Sequence, residues 1–189
     1  ERNGFTLPPG VRPANLPDGD YASPSAPAGA QLDPALDWSV VDWLRSFCSL
    51  PVVVQGILSA GDALEAVKAG ARGVVVSNHG GRQLDGVPPT LDVLPEVAAA
   101  VAGRCAVLVD GGVRRGTDVL AALALGADGV LLGRPVLHGL AVDGRSGVAQ
   151  VFDILRDELV DAMSLAGVKD VDGAGPDLVV AAEPSRPTT

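Results

Sequence analysis

The chain has 189 residues, 47% of them hydrophobic but only 3% aromatic, with 24 Gly and 15 Pro. Its formal net charge of −9 argues against a nucleic-acid partner, because phosphate backbones need a positive face. No apolar run approaches the roughly 20 residues of a membrane span, the start Glu1-Arg2-Asn3 is not a secretory leader, and two distant cysteines, Cys48 and Cys105, make neither a disulfide framework nor a metal motif. A cytoplasmic protein with two reduced, buried thiols and no metal is expected.

Residues 4–37 hold Pro8, Pro9, Pro13, Pro17, Pro24, Pro27 and Pro34 among Ser, Ala, Gly and Asp, with no helical or strand period. Such a long connection reads as a lid or a disordered segment. Helical spacing begins at Trp38, Val41, Trp43 and Leu44, where the two tryptophans are expected to pack the helix.

A β/α alternation follows. Pro51–Ile57, Gly73–Ser77, Ala106–Asp110 and Gly129–Gly133 are short apolar runs that read as buried strands. Helices are expected over Ser59–Ala69, with Ser59 as N-cap and Gly70 as stop, over Thr90–Ala102, over Thr117–Leu125, closed by Gly126, and over Gly147–Leu165, ended by Gly167. His138 reads as a packed helix residue. Asp153, Asp157, Glu158 and Asp161 read as the solvated face of the last helix. Continuous apolar strands alternating with helices predict a parallel sheet covered on both faces. Two architectures fit: a small doubly wound sheet, or half of an eight-stranded barrel. A barrel needs about 250 residues, and a half-barrel leaves two open edges, so the second architecture calls for a partner segment.

In either fold the chemistry sits at the C-terminal ends of the strands. After the second strand comes Ser77-Asn78-His79-Gly80-Gly81-Arg82-Gln83. A histidine there can take a proton near neutral pH, and an arginine three residues on can hold a carboxylate bidentately. The alternative is a turn-capping His and a surface Arg. Asp110-Gly111-Gly112-Val113-Arg114-Arg115-Gly116 and Gly133-Arg134-Pro135 follow the last two strands. Their glycines let backbone N–H groups approach an anion, the helix starting near Thr117 points its positive end there, and the arginines add charge. A phosphate site is the favoured reading.

SNHGGRQ (77–83), DGGVRRGTD (110–118) and LGRPVLHGLA (132–141), in that order and spacing, resemble the second half of the FMN-dependent α-hydroxy acid dehydrogenases, over about Asp37 to Val171. The resemblance implies an α/β fold: strands five to eight, the C-terminal half, of a (β/α)8 barrel. It divides the chain into a mobile active-site loop at 1–37, the half-barrel at 38–171 and a disordered tail at 172–189. It implies FMN as cofactor and oxidation of a small (S)-2-hydroxy acid to the 2-oxo acid, with an aryl substrate such as 4-hydroxymandelate as first choice. His79 would be the base, and Arg82 the carboxylate clamp. Gln55, Ser77, Asp110, Gly111, Gly112, Val113, Arg114, Gly133 and Arg134 would contact the cofactor. The partners implied are the small substrate, the barrel's N-terminal half and further copies in a homotetramer.

One position departs from the pattern. The strand PVVV-x-GI carries Lys at x in the family, where it stabilises negative charge on the reduced flavin; here x is Gln55. The alternative to an oxidase is therefore an attenuated or non-catalytic half-barrel serving as a binding module. A phosphate-binding barrel of another kind, such as an FMN-dependent isomerase, would not need the His/Arg pair.

Overall fold

The structure is a computed structural model that describes residue 33 and residues 35–180. It divides into two units, Glu1–Asp37 and Trp38–Thr189. In the first, the described residues form one turn, in which Ala35 N donates to Asp33 Oδ1 at 2.9 Å. The remainder of the proposed loop, and residues 181–189 of the proposed tail, lie outside the described residues.

The second unit carries four parallel strands in the order β1-β2-β3-β4: β1 Val53–Ile57, β2 Gly73–Val76, β3 Ala106–Val109 and β4 Gly129–Val130. Helix α1 (Ser39–Phe47) precedes them. Helices α2 (Ala60–Lys68), α3 (Thr90–Val101) and α4 (Gly116–Ala124) connect them, and α5 (Arg134–Ala166) follows. Ser59 is the N-cap of α2, its side chain accepting from Asp62 N at 3.1 Å, and α5 ends at Gly167 with φ 72°. These ends agree with the caps read from the sequence.

The strand order never reverses. With right-handed crossovers, the three connecting helices α2, α3 and α4 then fall on the same face of the sheet. This corrects the expectation of a sheet covered on both faces. The covered face holds the core: Val74, Val76, Val107 and Val109 pack against Ala63, Ala66, Leu94 and Val97. The opposite face carries Val53 and Gln55, both exposed, beside Val75 and Leu108. A doubly wound sheet reverses its order at a switch point, whereas a barrel does not. The four units are therefore one half of a (β/α)8 barrel.

Other details also differ from the sequence reading. The fourth strand keeps only Gly129–Val130, because the chain turns into α5 at Arg134 rather than near Gly147. Helix α5 breaks at Asp143 and Gly144, whose φ/ψ are non-helical, and folds back so that Gly139 meets Gly147. A Cβ on Gly147 would stand 2.0 Å from Gly139 O, so bare backbone is required at this crossing. His138 lies in the first segment of α5, but it is exposed rather than packed, which corrects the second half of that reading. Trp38 packs against the core, but Trp43 is 61% exposed and meets Phe47 edge-on at 4.9 Å. Both cysteines are free and only partly buried. Residues 171–173 and 176–178, within or beside the expected tail, form single 3-10 turns. Among the described residues no helix is long and apolar enough to cross a membrane.

Candidate active site

The C-terminal ends of the strands form one edge of the sheet, and the loops leaving them carry the residues singled out by sequence. Gln55 lies at the middle of β1, two residues before its end, Ser77 and His79 just past β2, Asp110 past β3 and Gly133 past β4. A cavity of about 380 Å³ there is lined by Gln55, His79, Arg82, Asp110, Arg114 and Arg134, together with Gly111, Gly112, Val113 and Gly133. A neighbouring cavity of about 350 Å³ shares Gln55 and His79 and adds Ser77. The fold thus brings together every predicted site residue on this edge.

The backbone at the histidine is unusual. His79, Gly80 and Gly81 have φ of 54°, 64° and 72°, and Gly81 N donates to Asn78 O at 3.0 Å. The loop is one left-handed turn. Glycine takes this conformation freely, whereas His79 carries a cost of about 1–3 kcal/mol. Something must hold it there. His79 N donates to Ser77 Oγ at 3.1 Å, and Ser77, which is buried, donates its hydroxyl to Asp110 Oδ1 at 2.6 Å. The other carboxylate oxygen, Asp110 Oδ2, accepts from Gln55 Nε2 at 2.5 Å.

Gly111 and Gly112, at φ 93° and 87°, turn the chain sharply after β3. Two side chains from outside the predicted set brace this turn. Thr90 Oγ1 reaches Gly111 O at 3.5 Å, and a Cβ on Gly111 would stand 3.0 Å from Asn78 Oδ1. Asn78 Oδ1 is buried and has no hydrogen-bond partner among the described residues, while its Nδ2 donates to Pro88 O at 3.4 Å. Neither Asn78 nor Thr90 was identified from sequence, because bracing depends on which loops the sheet brings side by side. The guanidinium of Arg134 lies against Gly80, where a Cβ would stand 3.2 Å from Nη2. This ties the start of α5 to the histidine loop.

One expectation about the anion site changes. The N-terminus of α4 is closed by the protein's own carboxylates. Arg114 N and Arg115 N donate to Asp118 Oδ2 at 2.8 and 2.9 Å, and Gly116 N donates to Glu158 Oε2 at 2.9 Å. Glu158 also pairs with Arg115 at 3.6 Å, so it does not belong to a purely solvated helix face. Helix α4 therefore has its first donors occupied. The anion-binding capacity lies instead in the Gly111–Gly112 turn, the start of α5 at Gly133–Arg134, and the charges of Arg114 and Arg134. Among the described residues nothing stands within 4 Å of a Cβ built on Gly112 or Gly133, so neither turn is filled by them. A phosphate dianion complements this donor set.

Comparison with known proteins gives a consistent answer. The profile of the family described as FMN-dependent dehydrogenase matches residues 1–181. The chain is 52% identical over 181 residues to 2-hydroxyacid oxidase 1 of Mus musculus, an alignment covering 90% of the chain and 49% of that protein. It is 50% identical over 180 residues to 4-hydroxymandelate oxidase of Amycolatopsis orientalis, covering 92% of the chain and 50% of that protein. A crystal structure of mandelate oxidase superposes with a TM-score of 0.81 at 51% identity, covering 92% of the chain and 49% of that structure. The chain thus spans about half the length of the relatives it matches.

Proposed function

The chain belongs to the FMN-dependent dehydrogenase family, and from that premise we propose that it forms the proton-transfer and phosphate-holding half of an enzyme oxidising a small (S)-2-hydroxy acid to the 2-oxo acid. An aryl 2-hydroxy acid such as 4-hydroxymandelate is the substrate class we favour, on the likeness to 4-hydroxymandelate oxidase. The observation that carries this reading is the convergence of His79 and Arg82 with the two Gly/Arg turns on one cavity.

The residues suit FMN. The Gly112 and Gly133 turns with Arg114 and Arg134 match a phosphate. The two adjoining cavities fall in the size range of cofactor and substrate sites. FMN, when bound, supplies the acceptor for the two electrons that leave the substrate. The chain's own groups do the rest. Arg82 fixes the substrate carboxylate through two parallel hydrogen bonds. That orients the α-carbon and its hydroxyl toward His79, whose imidazole takes the substrate proton. Gln55 offers a neutral amide already tied to Asp110, so it brings no positive charge to the cavity. This favours a slower enzyme than one with lysine at the position.

The test is spectroscopic. The chain, joined by the other half of the barrel and saturated with FMN, is mixed anaerobically with glycolate, lactate, mandelate and 4-hydroxymandelate in turn. Bleaching of the flavin absorbance is expected, fastest with an aryl acid. Absence of bleaching by every acid overturns the catalytic reading, and faster bleaching by glycolate overturns the substrate choice.

A further inference from the structure

We propose that Asp110 is a positioning residue for His79, acting through the Ser77 hydroxyl. The inference rests on the reading of His79 as the base, but its principal test does not.

The hydrogen-bond logic is directional. A serine hydroxyl has one proton to give. Ser77 Oγ gives it to Asp110 Oδ1 at 2.6 Å, a short contact of the kind a charged acceptor makes. With the proton committed to Asp110, the lone pairs of Oγ are left to face His79 N, which donates at 3.1 Å. The carboxylate is itself fixed, because Gln55 Nε2 holds its other oxygen from β1. A chain of three hydrogen bonds therefore runs from β1 through the end of β3 to the backbone of His79. Ser77 is only 3% exposed, so water competes little for the middle link.

The left-handed φ of 54° at His79 is what the chain holds in place. A residue other than glycine relaxes from that conformation unless its surroundings enforce it. Rotating His79 out of it would swing the imidazole away from the cavity it shares with Arg82. Asp110 thus belongs to the base's support as well as to the cavity wall.

The test follows backbone hydrogen exchange of the FMN-loaded protein in the segment Ser77–Gln83. Ser77→Ala and Asp110→Ala should each speed exchange at His79 by about 2- to 10-fold, the weight of one hydrogen bond. Asp110→Asn should restore it, because its amide oxygen still accepts from Ser77 while Gln55 flips to accept from the amide nitrogen. Asp110→Ala should add nothing once Ser77 is alanine. Should Asp110→Ala fail to fold, Ser77→Thr against Ser77→Ala decides: Thr keeps slow exchange and Ala loses it. The proposal is overturned if Asp110→Ala leaves exchange unchanged, if its effect multiplies with that of Ser77→Ala, or if Ser77→Thr exchanges as fast as Ser77→Ala. In turnover, the two alanine variants should lower kcat by a common factor at unchanged KM. If the completed barrel carrying the unmutated chain oxidises no 2-hydroxy acid, the functional reading fails while the exchange experiment still decides the role of Asp110.

Discussion

Glu158, three-quarters of the way along α5, accepts a hydrogen bond from the backbone nitrogen of Gly116, the first residue of α4, at 2.9 Å. The two helices touch so closely there that a Cβ on Gly116 would stand 2.0 Å from Leu159 N. The last helix is thereby clamped onto the unit that carries the Gly111–Gly112 turn. We predict that Gly116→Ala costs about 3 kcal/mol, because rigid backbone must move apart. Glu158→Ala should cost about 1 kcal/mol through the lost acceptor. Urea unfolding checks both, and a Gly116→Ala midpoint equal to the parent's would refute the close-packing account.

For the candidate base and clamp, the expectation is a split between chemistry and binding. His79→Ala should lower the rate of flavin reduction by about 10²–10⁴-fold while FMN still binds. Arg82→Lys keeps the charge but loses the two-pronged grip, so it should raise KM for the hydroxy acid. Stopped-flow reduction and an FMN titration separate these effects. Equal reduction rates for His79→Ala and parent would remove His79 from the role of base.

Gln55→Lys tests the departure from the family pattern. A lysine here can pair with Asp110 and bring a positive charge to the cavity wall. Restoring a charged donor should speed flavin reduction by about 10-fold or more, as expected for groups that stabilise developing negative charge. A rate that is unchanged or slower would show that this position does not limit the reaction.

Cys105, at the foot of β3, has its thiol pushed above the ordinary value by burial; Asp128 adds to the rise, and Arg104 and Arg72 oppose it. The folded protein therefore holds the thiol proton at pH values where the unfolded chain releases it. By linkage, this contribution to stability is complete below the unfolded thiol's pKa and is lost as pH rises through the folded value. Cys105 should accordingly react slowly with iodoacetamide at pH 8 in the native protein, compared with the same residue in denaturant. Mass mapping of the alkylated peptides checks this, and equal rates in the two states would contradict it.

Much of this was readable along the chain. The apolar runs at 53–57, 73–76 and 106–109, the cap at Ser59 and the stop at Gly167 depend on local pattern and turn chemistry, which act within a few residues. The motifs at 77–83, 110–118 and 132–141 named the residues that meet at the cavity, because in parallel β/α units the strand ends always share one edge. Three things needed the folded chain. The strand order decided that the helices cover one face, since a repeating alternation reads the same for a reversing sheet and a barrel. The break at Asp143–Gly144 and the contact of Gly139 with Gly147 depend on two segments meeting in space. The links from Gln55 to Asp110, from Ser77 to Asp110 and from Glu158 to Gly116 span 55, 33 and 42 residues. No local rule reaches that far, so the sequence named the groups of the site and tertiary structure alone decided which of them hold each other in place.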